Sequence, residues 1–331
     1  MFELIIIGAG PAGISMAAEA VLSGIPSDKI VILEKSEAHS FSIRKFYPEQ
    51  KLVTANYKGQ AALCKGVMCL SDSSKADTIS YLDQAILSYK IDVRYQQTVF
   101  KIEKHNDGHF VILTDKDKFE GKICVIAIGI MGKPNKPDYA LPPELRDRIS
   151  FDITSKPIKN ADVLVVGGGD SASEYTQYLA QEGNRVSFSY RKDEFSRMND
   201  INAKSLNALF ERKEVIPLLK SNIKEVKAGV NKAIVVFQES EFGEIPFDHV
   251  VYALGGTTPK NFLAVLGIEF NGEEPVVKDG YETSIQGLFL IGDLSAGKKG
   301  GSIISAFNSA HEAMQKICKD YLECKIDFTS R

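Results

Sequence analysis

Long apolar runs are missing from this 331-residue chain: none approaches the roughly 18 residues that a membrane span requires. The apolar start, FELIII, meets glycine after a few positions, so it reads as a buried strand and not as a signal peptide. An excess of one charge is missing too. Forty basic residues against forty-three acidic leave a formal charge of −3, with no electrostatic footprint for nucleic acid or an anionic membrane. Any charged partner has to be met by a local patch. Cysteine is scarce: Cys64, Cys69, Cys124, Cys318 and Cys324 are odd in number and too sparse for a secreted disulfide scaffold, so a reducing cytoplasm is expected. The five histidines, His39, His105, His109, His249 and His311, are scattered and suggest neither a catalytic triad nor a metal site. What is present is ordinary globular composition, 44% hydrophobic and 25% charged, in a chain long enough for two domains with a core each.

The first informative stretch is LIIIGAGPAGISMAAEA at residues 4–20. An apolar β-rich run breaks into Gly8, Ala9, Gly10, Pro11, Ala12 and Gly13, and small helix formers follow. This is G-x-G-x-x-G between a strand and a helix, the context that lifts it above a chance match. Gly8 allows the tight turn, Gly10 lets backbone approach a pyrophosphate, and Gly13 permits close packing of helix on strand. The phosphates would rest on the helix N-terminus. The next strand, residues 29–34, ends in Glu34, followed by Lys35. A carboxylate there accepts hydrogen bonds from both ribose hydroxyls of an adenosine and repels a 2′-phosphate, so the site suits FAD or NAD.

The same shape returns as LVVGGGDSASEYTQYL at residues 164–179. Gly167, Gly169 and Ala172 occupy the fingerprint positions, and Asp170 and Ser171 open the helix. Here the following strand ends in Tyr190-Arg191-Lys192, with Arg197 a little further on. A guanidinium fork suits phosphate oxygens, so this site prefers NADPH. Asp193 and Glu194 lie beside these cations, and a solvated mixed-charge loop is the competing reading.

Between the turns the pattern predicts a helix over 78–89, short strands near 99–103, 110–114 and 118–120, and an apolar strand, 122–128, closing into Gly129. GIMGKPNKP then reads as a connector. A second set of parts follows: a helix near 202–212, strands near 223–226, 233–238 and 244–247, and a strand over 249–254 closing into Gly255. The tail returns to a strand at 288–291, Gly292-Asp293, and a helix from Ser302 and Ile303 to about Cys318. The expected fold class is α/β, with two Rossmann-like domains. A second domain, residues 132–251, is inserted into a first made of residues 1–131 and 252–331.

GAGPAG with Glu34, the closing AIG, GGGDSASE, YRKDEFSR, LGGTTP and the terminal IGD together resemble the two-dinucleotide-binding-domain flavoproteins of thioredoxin-reductase-like type, over essentially the whole chain. The resemblance implies FAD in the first site and NADPH in the second. It also implies that Asp293 bonds the ribityl chain of FAD, that the helix from Ser302 aims its amides at the flavin ring, and that the protein is a homodimer. A helix N-terminus there would stabilise negative charge on the reduced ring.

Thioredoxin reductases carry a C-x-x-C pair at the second glycine turn's helix. Here Gly168-Gly169-Asp170-Ser171 stands in that place, so the dithiol relay is missing. Cys64 and Cys69 have a C-x4-C spacing that resembles glutathione-reductase relatives, without their sequence context, and are expected to be two ordinary thiols. Tyr47-Pro48-Glu49-Gln50 resembles the Y-P-E-K stretch of the flavodoxin/ferredoxin NADP reductases, which also lack the dithiol. The resemblance points in particular to the flavodoxin:quinone reductases of this group. Their flavin-covering tyrosine would fall at Val53, with Tyr57 nearby, and Tyr321 or Phe328 of the short tail is a candidate cover for the other flavin face. The expected reaction passes electrons from NADPH through FAD to flavodoxin, ferredoxin or a quinone. Lys51, Lys58, Lys65, Lys298 and Lys299 are candidates for a basic docking rim. A low-molecular-weight disulfide reductase of bacillithiol-disulfide-reductase type and a non-catalytic NADPH sensor are the rival readings.

Overall fold

A computed structural model describes the chain except residues 48, 50, 56–62, 130–133, 154–155, 197, 199, 256–259, 273, 297–300 and 326–331. The chain divides into two compact units. Met1–Arg44, Leu52–Gly132 and Thr258–Arg331 form the first, and Lys45–Lys51 with Lys133–Thr257 form the second.

The first unit begins with β1 (Phe2–Ile7), α1 (Pro11–Leu22), β2 (Ile30–Leu33), α2 (Phe41–Phe46), the small pair β3 (Leu52–Val53) and β4 (Ser73–Ser74), and α3 (Lys75–Ser88). It continues with β5 (Val93–Arg94), β6 (Val99–Lys104), β7 (Phe110–Thr114) and β8 (Lys118–Ile126). β1 lies between β2 and β8, parallel to both, with Leu4 opposite Ile30 on one side and Ile123 on the other. Leu4, Ile5, Ile6 and Ile7 are buried on both faces, which is why this strand reads as an unbroken apolar run and not as an alternation. The two strands expected near 118–120 and 122–128 are one, β8. Its first half pairs antiparallel with β7, and its second half lies parallel to β1.

The second unit holds β9 (Ile149–Ser150), β10 (Asp162–Val166), α4 (Asp170–Gln181), β11 (Arg185–Tyr190), α5 (Asp200–Glu211) and β12 (Val215–Leu219). A meander of β13 (Ile223–Ala228), β14 (Ala233–Phe237) and β15 (Glu244–Phe247) follows, then β16 (His249–Tyr252). The order β12-β11-β10-β16-β9 is parallel throughout, so β10 is central as β1 is in the first unit. β12 carries Pro217, which lacks a donor, and its place at the sheet edge admits it. The chain re-enters the first unit through α6 (Lys260–Val265), β17 (Phe270–Asn271), β18 (Glu274–Pro275), β19 (Leu288–Leu290) and α7 (Ile303–Asp320). β19 lies parallel to the end of β8.

The cysteines depart from the expectation of free thiols. Cys64 is bonded to Cys69 and Cys318 to Cys324, with Cα separations of 5.5 and 5.3 Å that suit a bridge, and only Cys124 is free and buried.

Both glycine turns solve one steric problem in the same way. A Cβ on Gly8 would stand 2.6 Å from the carbonyl oxygen of Ala127, and one on Gly167 would stand 2.4 Å from that of Ala253. A Cβ on Gly13 would fall 2.0 Å from the Gly8 carbonyl oxygen, whereas one on Gly10 meets nothing within 4 Å. Gly13→Ala should therefore cost about 1–3 kcal/mol of stability by overpacking. Gly10→Ser, which enters open space at the N-cap of α1, should change stability by less than ~0.5 kcal/mol. Urea unfolding of the two variants beside the parent checks this, and equal losses would contradict it.

Candidate functional site

In the first unit the peptide of Ala9, between the two leading glycines, is held from both sides. Its N–H donates to Glu34 Oε2 at 2.8 Å, and its carbonyl accepts from the Ser40 N–H at 2.8 Å. Glu34 Oε1 also accepts from the Ser36 N–H at 2.8 Å. Glu34 is buried at the end of β2, with Lys35 exposed next to it. Ser40 belongs to a support that sequence reasoning missed: His39 Nδ1 lies 3.0 Å from Ser40 Oγ, and His39 Nε2 lies 2.7 Å from Asp83 Oδ1 and from an Arg44 nitrogen. Burial, with the Arg44 charge against it, lowers the His39 pKa despite Asp83. No local pattern ties His39 to Asp83 on α3, so nothing in the sequence marks the pair.

The other residues expected at this site converge on α1. The Gly292 N–H donates to Ser309 Oγ at 2.9 Å, and a Cβ on Gly292 would lie 2.9 Å from the Ala12 Cβ. Pro11 opens α1 at its first position and Gly10 is its extended N-cap, an arrangement that leaves first-turn amides for an anion. Asp293 follows Gly292. A Cβ on Gly301 would stand 1.8 Å from Asp293 Oδ1, so this carboxylate lies directly ahead of α7, where Ser302 caps the Ser305 N–H at 3.0 Å and Ile303 is the first helical residue. Among the described residues the Asp293 side chain has no hydrogen-bond partner, and burial raises its pKa. A hydroxyl donor is what such a carboxylate needs, which fits a polyol chain laid between α1 and α7. Gly129, at φ +64°, has nothing within 4 Å of a would-be Cβ and leaves the far edge open.

The second unit carries a cleft of about 650 Å³ lined by Gly167 to Ser171, Tyr190 to Lys192, Gly255 and the aromatic wall of Tyr139 and Tyr252. Ala172 is buried beneath it. Arg191 and Lys192 are exposed and, among the described residues, without a carboxylate partner. Asp193 turns instead to Lys220 at 2.9 Å. That pairing weighs against a self-neutralised loop. Arg197 lies outside the described residues. Asp170 is drawn sideways, accepting from Asn202 Nδ2 at 3.1 Å, and Glu174 accepts from the same nitrogen at 3.2 Å. The hydroxyls of Tyr139 and Tyr252 are 3.0 Å apart, and burial pushes Tyr139 up to about 12, so this wall is uncharged at neutral pH.

Two of the five candidate docking lysines are already committed. Lys51 pairs with Glu174 at 2.8 Å and lies 3.9 Å over the Tyr47 ring, and Lys65 pairs with Glu312 at 2.5 Å. Lys58, Lys298 and Lys299 lie outside the described residues. Val53 is buried, and Tyr57 and Phe328 are not described. Tyr321 lies edge-on to Phe289 and is bonded through its hydroxyl to Glu282.

With this geometry in view, the sequence matches the pyridine nucleotide-disulphide oxidoreductase family over residues 5–292. The chain belongs to that family. As a member it is an NAD(P)H-dependent flavin oxidoreductase. A protein named ferredoxin–NADP reductase from Ignicoccus hospitalis is 28% identical over 90% of this chain and 92% of its own length. One of the same name from Acholeplasma laidlawii is 27% identical over 88% and 86%. Among solved structures, the bacillithiol disulfide reductase of Staphylococcus aureus superposes with a TM-score of 0.81 at 23% identity, covering 97% of this chain and 99% of that one. The thioredoxin-reductase-like two-unit fold of the family is thus shared. Among the described residues no helix is long and apolar enough to cross a membrane.

Burial raises the pKa of Asp293. The folded carboxyl takes a proton at higher pH than the unfolded one, so its charge penalises the fold at neutral pH, and the penalty fades as pH falls. Flavin-free Asp293→Asn should melt higher than flavin-free parent at pH 7, with the gap closing towards pH 4. Calorimetry at both values measures it, and a lower melting point for the variant at pH 7 would refute the assignment.

Proposed function

We propose that the protein is an NADPH-dependent FAD reductase that hands electrons to an external acceptor, with a ferredoxin-type protein favoured and flavodoxin or a quinone as alternatives. The observation that carries the reading is the contrast between the two strand ends. Glu34 is a buried carboxylate with lone pairs left for ribose hydroxyls, while Arg191 and Lys192, on the rim of a cleft, have no carboxylate partner among the described residues. Bound FAD would supply the redox centre that can accept a hydride from NADPH and pass electrons on to the acceptor.

The residues supply binding and orientation. The α1 amides and open Gly10 accept the FAD pyrophosphate, Glu34 the ribose, Asp293 the ribityl hydroxyls, and the start of α7 at Ser302 and Ile303 the electron-rich edge of the flavin. The turn from Gly167 to Ala172 takes the NADPH pyrophosphate, Gly255 leaves room beside it, and Arg191 and Lys192 take the 2′-phosphate. Hydride transfer needs alignment and no proton shuttle, so no acid–base residue is assigned. The relatives named ferredoxin–NADP reductase support the acceptor class. A homodimer belongs to the same proposal.

A second reading, reduction of a low-molecular-weight disulfide, draws support from the bonded Cys64 and Cys69. Turnover of NADPH with ferredoxin, flavodoxin, a quinone, thioredoxin and bacillithiol disulfide as separate acceptors decides between them. Turnover with ferredoxin that survives Cys64→Ser/Cys69→Ser supports the first, and turnover only with a disulfide overturns it.

Arg191→Leu should raise the KM for NADPH about 10–100-fold, the loss of one charge-assisted phosphate contact, and leave the KM for NADH nearly unchanged. Equal losses with both nucleotides would remove the 2′-phosphate assignment. Gly10→Ser, neutral for stability, should weaken FAD retention on dilution.

A further inference from the structure

The loop Cys64-Lys65-Gly66-Val67-Met68-Cys69 is closed by its disulfide and seated on both helices assigned to FAD. The Val67 N–H donates to Glu19 Oε1 of α1 at 2.7 Å. The Lys65 N–H donates to Asn308 Oδ1 of α7 at 2.9 Å, and Asn308 Nδ2 returns a bond to the Leu63 carbonyl at 2.9 Å. Lys65 Nζ reaches Glu312, one turn further along α7. Gly66 has no side chain because Glu19 Oε1 fills the place: a Cβ would be 1.9 Å from it.

Glu19 is 1% exposed, and its second oxygen lies 3.1 Å from His311 Nδ1 of α7. The only amide on this carboxylate among the described residues is the one the loop brings. A buried carboxylate that loses a hydrogen bond draws in water or moves, and here it stands between α1 and α7. Neither bridge is used by the electron path proposed above. Cys69 is exposed while Cys64 is half-buried, so Cys69 is the more open of the two residues to an incoming thiolate.

We infer that Cys64–Cys69 is a thiol–disulfide exchange site whose state sets how tightly α1 and α7, and so FAD, are held. A thiolate of an external dithiol attacks Cys69 Sγ, the Cys64–Cys69 bond breaks, and Cys64 leaves and takes a proton. The reductant's second thiol then attacks the mixed disulfide, releasing Cys69 as a thiol and the reductant as its own disulfide. Two electrons and two protons have moved to the protein. The opened loop loses its closed geometry, and with it the Val67 bond to Glu19.

The test uses the FAD-loaded full chain carrying Cys318→Ser/Cys324→Ser, so that one bridge remains. Oxidised protein and protein reduced with dithiothreitol and desalted without oxygen are compared by free-FAD fluorescence on dilution and by hydrogen exchange of residues 64–69, α1 and α7. Reduction should raise the FAD dissociation constant several-fold and speed exchange at Val67 by tenfold or more. Adding Cys64→Ser/Cys69→Ser should reproduce the reduced state and abolish the response. Equal FAD retention and equal exchange in both states, a response that persists in the serine variant, or three free thiols instead of one in the Cys318→Ser/Cys324→Ser chain after oxidant treatment would each overturn the inference. It rests on the FAD assignment, and the arms separate the two: failure to bind FAD sinks that assignment, while exchange at Val67 still reports the loop.

Discussion

A helix can begin three or four residues after a buried parallel strand only if the turn between them yields space to the neighbouring strand's backbone. That steric constraint governs both halves of this protein. Gly8 lies against the Ala127 carbonyl and Gly167 against that of Ala253, the first residues beyond β8 and β16. These contacts set where α1 and α4 start. The helix starts in turn decide where backbone amides face outward, and a dinucleotide phosphate is the ligand such amides suit. The third position shows how tight the fit is: Gly13 is forced by the Gly8 carbonyl, whereas the second turn accepts the methyl of Ala172.

On this shared frame the charges diverge. Glu34 closes the first turn on itself by binding the Ala9 amide, and the second turn has no counterpart to it; there the strand end projects cations towards open solvent. One unit is thus built for a ligand that becomes part of the interior, supported from behind by Ser40, His39 and Asp83. On the reading proposed above, the other suits one that enters a cleft and leaves. The same reading accounts for Asp293, which among the described residues has no hydrogen-bond partner: a carboxylate can carry the cost of burial where a bound group would supply its hydrogen bonds.

Much of this was legible in the sequence, for physical reasons. Unbroken apolar runs at 4–7 and 163–165 can only be central strands, and the glycine spacing and the residue closing the next strand lie within one βαβ unit, where local geometry is short-range. The boundaries blurred where pairing changes partner along one strand, as in β8, which Gly121 seemed to divide. The partners of the lysines were not legible, because an exposed cation in sequence shows no sign of the carboxylate beside it: Lys51 meets Glu174, and Lys65 meets Glu312. The cysteines were misread because spacing gives reach but not direction.

Local sequence was enough for the two glycine turns, the central strands and the opposite charges at their neighbours' ends, since each follows from packing and backbone freedom over a few residues. Tertiary structure alone decided what stands beside them. Gly292 was brought onto Ala12, Asp293 in front of α7, and the closed loop of Cys64 and Cys69 onto Glu19 and His311, which are 292 positions apart. No local pattern encodes contacts at such separations. They arise because the chain leaves the first unit, builds the second, and returns to complete the sheet with β19 and the site with α7.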